Sequence, residues 1–181
     1  MKHCLPLSKS SWLEGRIGPE KYQDCFRLVK NSIDLLNEKK VDKIVLLSDF
    51  KSKQSNKSEL EYIVEICKRF NVADDKLYIE KYGYDTLSQI KFSLGFCSKN
   101  GDDLLILSSA THYPRVWWIT YRLNKKYNVN VAHKIAWGIP RPRDAVFDIV
   151  LMFAYPVLDL FGLSEWFTNH MKVRRDKGYL V

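Results

Sequence analysis

The chain has 181 residues, 46% hydrophobic and 28% charged, with a formal net charge of +8 from 29 basic and 21 acidic side chains. This is the composition of one ordinary globular domain, and it excludes a disordered, collagen-like or disulfide-scaffolded chain. The positive balance admits an anionic partner, but the basic residues are scattered, with short clusters only at Lys39–Lys43 and Lys172–Lys177, so no stripe marks a specific nucleic-acid interface.

The first apolar run, Cys4–Leu7, reads as a strand ending in the polar turn that starts at Ser8. It is too short for a secretory signal. Pro19-Glu20 opens a helix carrying Tyr22, Cys25, Phe26, Val29, Ile33 and Leu36 at helical spacing. Lys43–Leu47 is the next buried strand, ending at Ser48, and Ser58-Glu59 opens a helix with Leu60, Ile63, Val64, Cys67 and Phe70 on one face. A short strand, Leu77–Ile79, ends at Glu80. A loop through Asp85 leads to a helix from Thr86 with Leu87, Ile90, Leu94 and Cys97.

Leu104–Leu107 has no polar alternation, which predicts a strand buried on both faces of a parallel sheet. It gives way to Ser108, Ser109, Thr111 and His112, then Pro114 and Arg115, where a helical pattern takes over. Val129–Ile135 is a looser strand, expected nearer an edge. After the proline-broken Gly138–Arg143, Asp144 is the expected N-cap of a mostly apolar segment, Ala145–Leu163. Asp148, Pro156 and Asp159 interrupt that segment, which favours two buried helices joined near Pro156 over a membrane span; an interfacial helix aided by Trp166 is the alternative. Strands alternating with helices predict an α/β fold: a three-layer Rossmann-like sandwich, a mostly parallel sheet of about five strands with helices on both faces. One domain covers 1–181, with sheet and crossover helices in 1–137 and a helical extension in 144–181.

Cys4, Cys25, Cys67 and Cys97 lack metal-ligand spacing and read as buried thiols of a reducing compartment. Four strands end alike, at Ser8, Ser48, Glu80 and Ser108-Ser109. In a parallel sheet these endings share one rim, where backbone N–H groups and helix N-termini meet anions. His112 and Arg115, three apart at a helix opening, share a face: arginine offers a fork for phosphate or carboxylate, and histidine can exchange a proton. Glu59, Glu80 and Asp85 are acids near the same rim, suited to a hydroxyl, an amine or a divalent ion. No GxGxxG, Walker loop or GxSxG elbow is present.

Ser58-Glu59, then Glu80 with Asp85-Thr86 and Gln89, then the run Leu107–Arg115, resemble the YdcF-like family of domains of unknown function, which includes the envelope proteins SanA and ElyC. The family's pattern is a serine–glutamate pair, a glutamate with a T-x-E-N turn, and T-S-x-x-H-x-x-R. Here Ser88-Gln89 replaces Glu-Asn, Ser108 stands where threonine is frequent, Asp144 where glutamate is usual, and Arg27 lies close to the arginine of the first helix. The resemblance implies a Rossmann-like fold with a pocket lined by Glu59, Glu80, Thr86, Gln89, Ser109, His112 and Arg115. It also implies S-adenosylmethionine as one cofactor to consider, beside a divalent metal. Envelope members carry N-terminal membrane segments, so this chain is expected in the cytoplasmic branch, with peripheral membrane contact as an alternative.

The expectation is therefore a small-molecule-binding protein recognising an anionic nucleotide-like or phosphorylated ligand. If it is an enzyme, it is a hydrolase or transferase with His112 and Arg115 as its chemical residues. Ser8, Ser48, Glu59, Glu80, Asp85, Thr86, Gln89 and Ser109 would line the ligand. An S-adenosylmethionine-binding module without catalysis, or a membrane-peripheral envelope factor, are the alternatives.

Overall fold

The computed structural model describes residues 1–7, 24–48, 58–83, 85–138 and 142–176. Five strands form one parallel sheet in the order β3-β2-β1-β4-β5. In chain order they are β1 (Lys2–Pro6), β2 (Lys43–Leu47), β3 (Leu77–Glu80), β4 (Asp103–Ser109) and β5 (Val131–Ala136). The helices are α1 (Asp24–Asn37), α2 (Glu59–Arg69), α3 (Thr86–Asn100), α4 (Tyr113–Tyr127), α5 (Pro142–Leu160) and α6 (Ser164–Asp176), and a single 3-10 turn at Asp74–Lys76 precedes β3.

The sheet is covered on both faces, as its apolar strands require. Along β4, Leu104 and Ile106 pack with Leu5, Leu7, Val45 and Leu47 against Ile90 and Leu94 of α3 and Val116 and Ile119 of α4. Leu105 and Leu107 point the other way, packing with Cys4 against Leu28 and Leu35 of α1. On that same face, Ile44 and Leu46 meet Val29 and Ile33 of α1 and Ile63 and Ile66 of α2. The fold is thus an α/β three-layer sandwich of the Rossmann-like kind, with α1 and α2 on one face and α3 and α4 on the other.

The local signals that open and close the elements are mostly those in the sequence. Ser58 caps α2 in a reciprocal capping box with Glu61, and Gly101 closes α3 at φ +68°. β1 pairs with β4 over its whole length but with β2 only at His3 and Cys4. Proline explains the difference. Leu7 N–H donates to Leu107 C=O at 2.9 Å, so alternation turns Pro6, which has no N–H, towards β2.

Several boundaries differ from expectation. β1 starts at Lys2 and ends at Pro6, and β4 runs on through Ser108 and Ser109, because backbone pairing with β5 up to Ser109–Ala136 does not depend on apolar side chains. β5 is an edge strand, as expected. Ser8 and the Pro19 helix opening lie outside the described residues.

The largest correction is in the C-terminal extension. Pro156 lies inside one continuous helix, α5, and the break comes at Gly162, whose φ of +67° no helix accommodates. Helix α5 begins at Pro142, which places Asp144 in the first turn rather than at the cap. Nor is α5 buried. Asp148, Leu151 and Tyr155 face the domain, whereas Val146, Val150, Phe153 and Leu160 are exposed. Among the described residues no helix is long and apolar enough to cross a membrane.

All four cysteines are buried and none is in a disulfide, and burial pushes the thiols of Cys4 and Cys97 up to about 12 and that of Cys67 to about 11. They are inert core groups. At the border opposite the strand ends, the buried carboxylate of Asp102 meets the Met1 ammonium at 2.6 Å and His3 Nε2 at 2.8 Å. These two hydrogen bonds hold Asp102 below the usual carboxylate range. A carboxyl group depressed in the folded state stabilises the fold above its unfolded pKa, and that contribution is lost as pH falls through the folded value. Asp102→Asn is therefore expected to be less stable than the parent at pH 7, with the gap closing in the acid range; urea unfolding at neutral and acid pH measures both.

Candidate functional site

Because all strands run in parallel, the helix N-termini and the strand C-termini gather on one rim. The strand order reverses between β1 and β4, and the crevice outside such a switch point is where open α/β sheets bind ligands. His112 immediately precedes α4 in the chain beside that point and is buried. Its position is set locally: β4 ends at Ser109, His112 N–H donates to Ser109 C=O at 3.1 Å, and Pro114 in the first turn starts the helix.

The imidazole is gripped at both nitrogens. Arg115 Nη2 donates to Nδ1 at 2.8 Å, which makes Nδ1 the acceptor and leaves the ring proton on Nε2, 3.2 Å from Thr86 Oγ1 at the start of α3. Asp148, on the inward face of α5, places Oδ1 3.4 Å from His112 Nδ1 and 3.8 Å from Arg115 Nη2, and Oδ2 accepts from Thr111 Oγ1 at 2.8 Å. His112 and Asp148 are nearly wholly buried and Arg115 is mostly so, which makes this a desolvated cation–imidazole–carboxylate cluster built from β4–α4, α3 and α5.

A second polar pair lies two strands away. Ser48 Oγ, just past β2, donates to Glu59 Oε2 at 2.6 Å in the first turn of α2, and both side chains are buried. Gln89 ties the two groups together: its Nε2 donates to Leu47 C=O at 2.9 Å and to Gly83 C=O at 3.0 Å, three residues along α3 from Thr86. Gly83 is required there, since it sits at φ +84° and a Cβ would lie 2.6 Å from Gln89 Cγ. Gln89 is thus a positioning residue.

The remaining predicted residues fall differently. Asp85 is the N-cap of α3, accepting from Ser88 N–H at 3.0 Å in a capping box. Glu80 is exposed at the end of edge strand β3, separated from β4 by β2 and β1. Ser109 is buried on the face shared with Leu105 and Leu107, while Ser108 shares the α3–α4 face with Leu104 and Ile106. Both hydroxyls are buried without a hydrogen-bond partner among the described residues. Arg27, paired with Asp24, lies against Gly138, where a Cβ would meet the guanidinium group. Ser8 is not among the described residues.

Asp148 was not anticipated as a site residue. The available signal was its spacing: Asp148, Leu151, Tyr155 and Asp159 repeat at i, i+3, i+7 and i+11, so the aspartates belong to the same inward stripe as the core residues. Tyr155, next on that stripe, has its phenol pushed up by burial and stays neutral. Among the described residues no three His, Cys, Asp or Glu side chains form a metal-ligand set. No family model, curated protein or solved structure matches the chain.

Removing Asp148 strips the charge partner from a buried guanidinium and the acceptor from Thr111. Asp148→Ala is expected to lose about 3–5 kcal/mol of unfolding free energy, and Asp148→Asn, which keeps an acceptor, distinctly less. Urea unfolding of both variants measures this.

Proposed function

We propose that this chain is a YdcF-like small-molecule-binding protein that takes an anionic, nucleotide-like or phosphorylated ligand at the strand-end rim. The observation that carries the reading is the meeting of Thr86, His112, Arg115 and Asp148 from three separate segments at the switch point, buried and mutually oriented. Two features favour an anion there. Helices α3 and α4, each 15 residues long, begin at this point, and the positive ends of their dipoles attract negative charge. The hydroxyls of Ser108 and Ser109, without a hydrogen-bond partner among the described residues, supply further donors at the end of β4.

In this reading Arg115 clamps the anion and orients the imidazole through Nδ1, while Asp148 balances the charge of the arginine. His112 Nε2 is the atom at which a proton is given or taken, within reach of Thr86 Oγ1. Glu59, held by Ser48, receives a ribose hydroxyl or an amine. That set also suits S-adenosylmethionine, whose carboxylate matches Arg115 and whose ribose matches Glu59. A divalent ion would arrive with the phosphate, given the absence of a protein ligand set among the described residues. As an enzyme it would be a hydrolase or transferase.

A melting-temperature panel of ATP, sugar phosphates and S-adenosylmethionine, each with and without Mg²⁺, tests the reading. A ligand at about 100 times its dissociation constant adds roughly 2.7 kcal/mol to stability. Arg115→Ala is expected to weaken the binding of any member that shifts the melting point by about 1.5–3 kcal/mol, read by calorimetry. Unchanged affinity removes the clamp, and a panel without any shift removes the reading.

A further inference from the structure

We propose that helices α5 and α6 dock the protein on the surface of an anionic phospholipid bilayer. On α5, Val146, Val150, Phe153, Val157 and Leu160 follow one another at i, i+4, i+7, i+11 and i+14, a straight stripe along the helix. Each is more than half exposed, from 52% at Val157 to 79% at Leu160. On a helical wheel the stripe lies opposite Asp148, Leu151 and Tyr155, the residues that face the domain, so it points away from the described residues of the sheet and its helices.

Further exposed apolar side chains follow the end of α5. Phe161 is 75% exposed at the junction, and Trp166, 61% exposed, stacks on His170 at 5.5 Å. An exposed apolar face of this length marks an interaction surface, and an exposed indole suits the polar–apolar boundary of a bilayer.

The charges select the occupant. Basic residues outnumber acidic ones at both ends of this apolar stretch, Arg141 and Arg143 against Asp144 before it and Lys172, Arg174, Arg175 and Lys177 against Glu165 and Asp176 after it, in a chain of net charge +8. Anionic headgroups complement that pattern, whereas a second copy would bring like charge against like. The helix lies on the membrane rather than through it. Asp148 is bound to Thr111, and Asp159 accepts from Trp118 Nε1 at 3.3 Å and pairs with Arg122, so two carboxylates hold α5 against α4 along its length.

Flotation of the full chain with phosphatidylcholine vesicles, with and without phosphatidylglycerol, tests the proposal. Co-flotation with the anionic vesicles is expected, and the Phe153→Glu/Leu160→Glu double variant should reduce the bound fraction by roughly tenfold or more. Its melting temperature should not fall, because both side chains face solvent. Flotation unaffected by the double variant overturns the proposal, as does failure of the parent to float. So does a concentration-dependent dimer on size-exclusion chromatography that the double variant splits, since a second copy would then cover the face.

Discussion

Strand β1 is hydrogen-bonded along both edges, to β2 on one side and β4 on the other, with all strands pointing the same way. Parallel neighbours cannot be joined by a tight hairpin, so every connection must travel back along the sheet, here through a helix. The connections from β1 to β2 and from β2 to β3 lay α1 and α2 on one face. The step from β3 to β4 crosses to the far side of β1 and lays α3 on the other, where α4 joins it. The location of the polar cluster follows from this directionality. Each strand delivers its last residues, and each helix its first, to the same border, and Pro6 ends the β1–β2 ladder short of that border.

Helix α5 serves two surfaces with two faces. Its inward stripe carries the carboxylate that meets Thr111 and Arg115 beside His112 at one end and the carboxylate that binds Trp118 and Arg122 at the other. A carboxylate in an apolar helix is costly unless its partners are arranged around it, and both of these have such partners. The outward stripe carries no charge at all. Between α4 and α5, Tyr113, Pro114, Trp117, Trp118, Met152 and Pro156 line a shallow groove of about 380 Å³. Apolar surface therefore runs from the outer face of α5 to the residues that follow His112.

The layered fold was legible because its signals are local. Lys43–Leu47 reads as a buried strand at its true limits, and Ser58 announces α2 by its capping box. The rim could be inferred from the four similar strand endings. What the chain pattern could not convey was partnership across long separations. Asp148 is 36 residues from His112, and only the packing of α5 on α4 shows that it is a partner rather than an interruption. Glu80 and Ser48 look alike as strand endings, yet one ends an edge strand in solvent while the other is buried on Glu59. Helix α5 misled in both directions. Pro156 forfeits its own N–H bond, yet α5 runs on to Leu160, so Gly162 rather than Pro156 sets the stop, and apolar character says that a face needs cover without saying where the cover comes from.

The central place of β1 has a consequence for how the chain is made. During synthesis β1 precedes β2 and β3 and can join them once Glu80 is made, but its other edge waits for β4, which begins at Asp103. Until then a nascent half-sheet presents an open, apolar strand edge, the kind of surface that recruits chaperones or pairs with a neighbouring chain. Completion of the sheet and assembly of the rim are therefore late and coincident events, since β4, which closes that edge, also leads directly to His112 and Arg115.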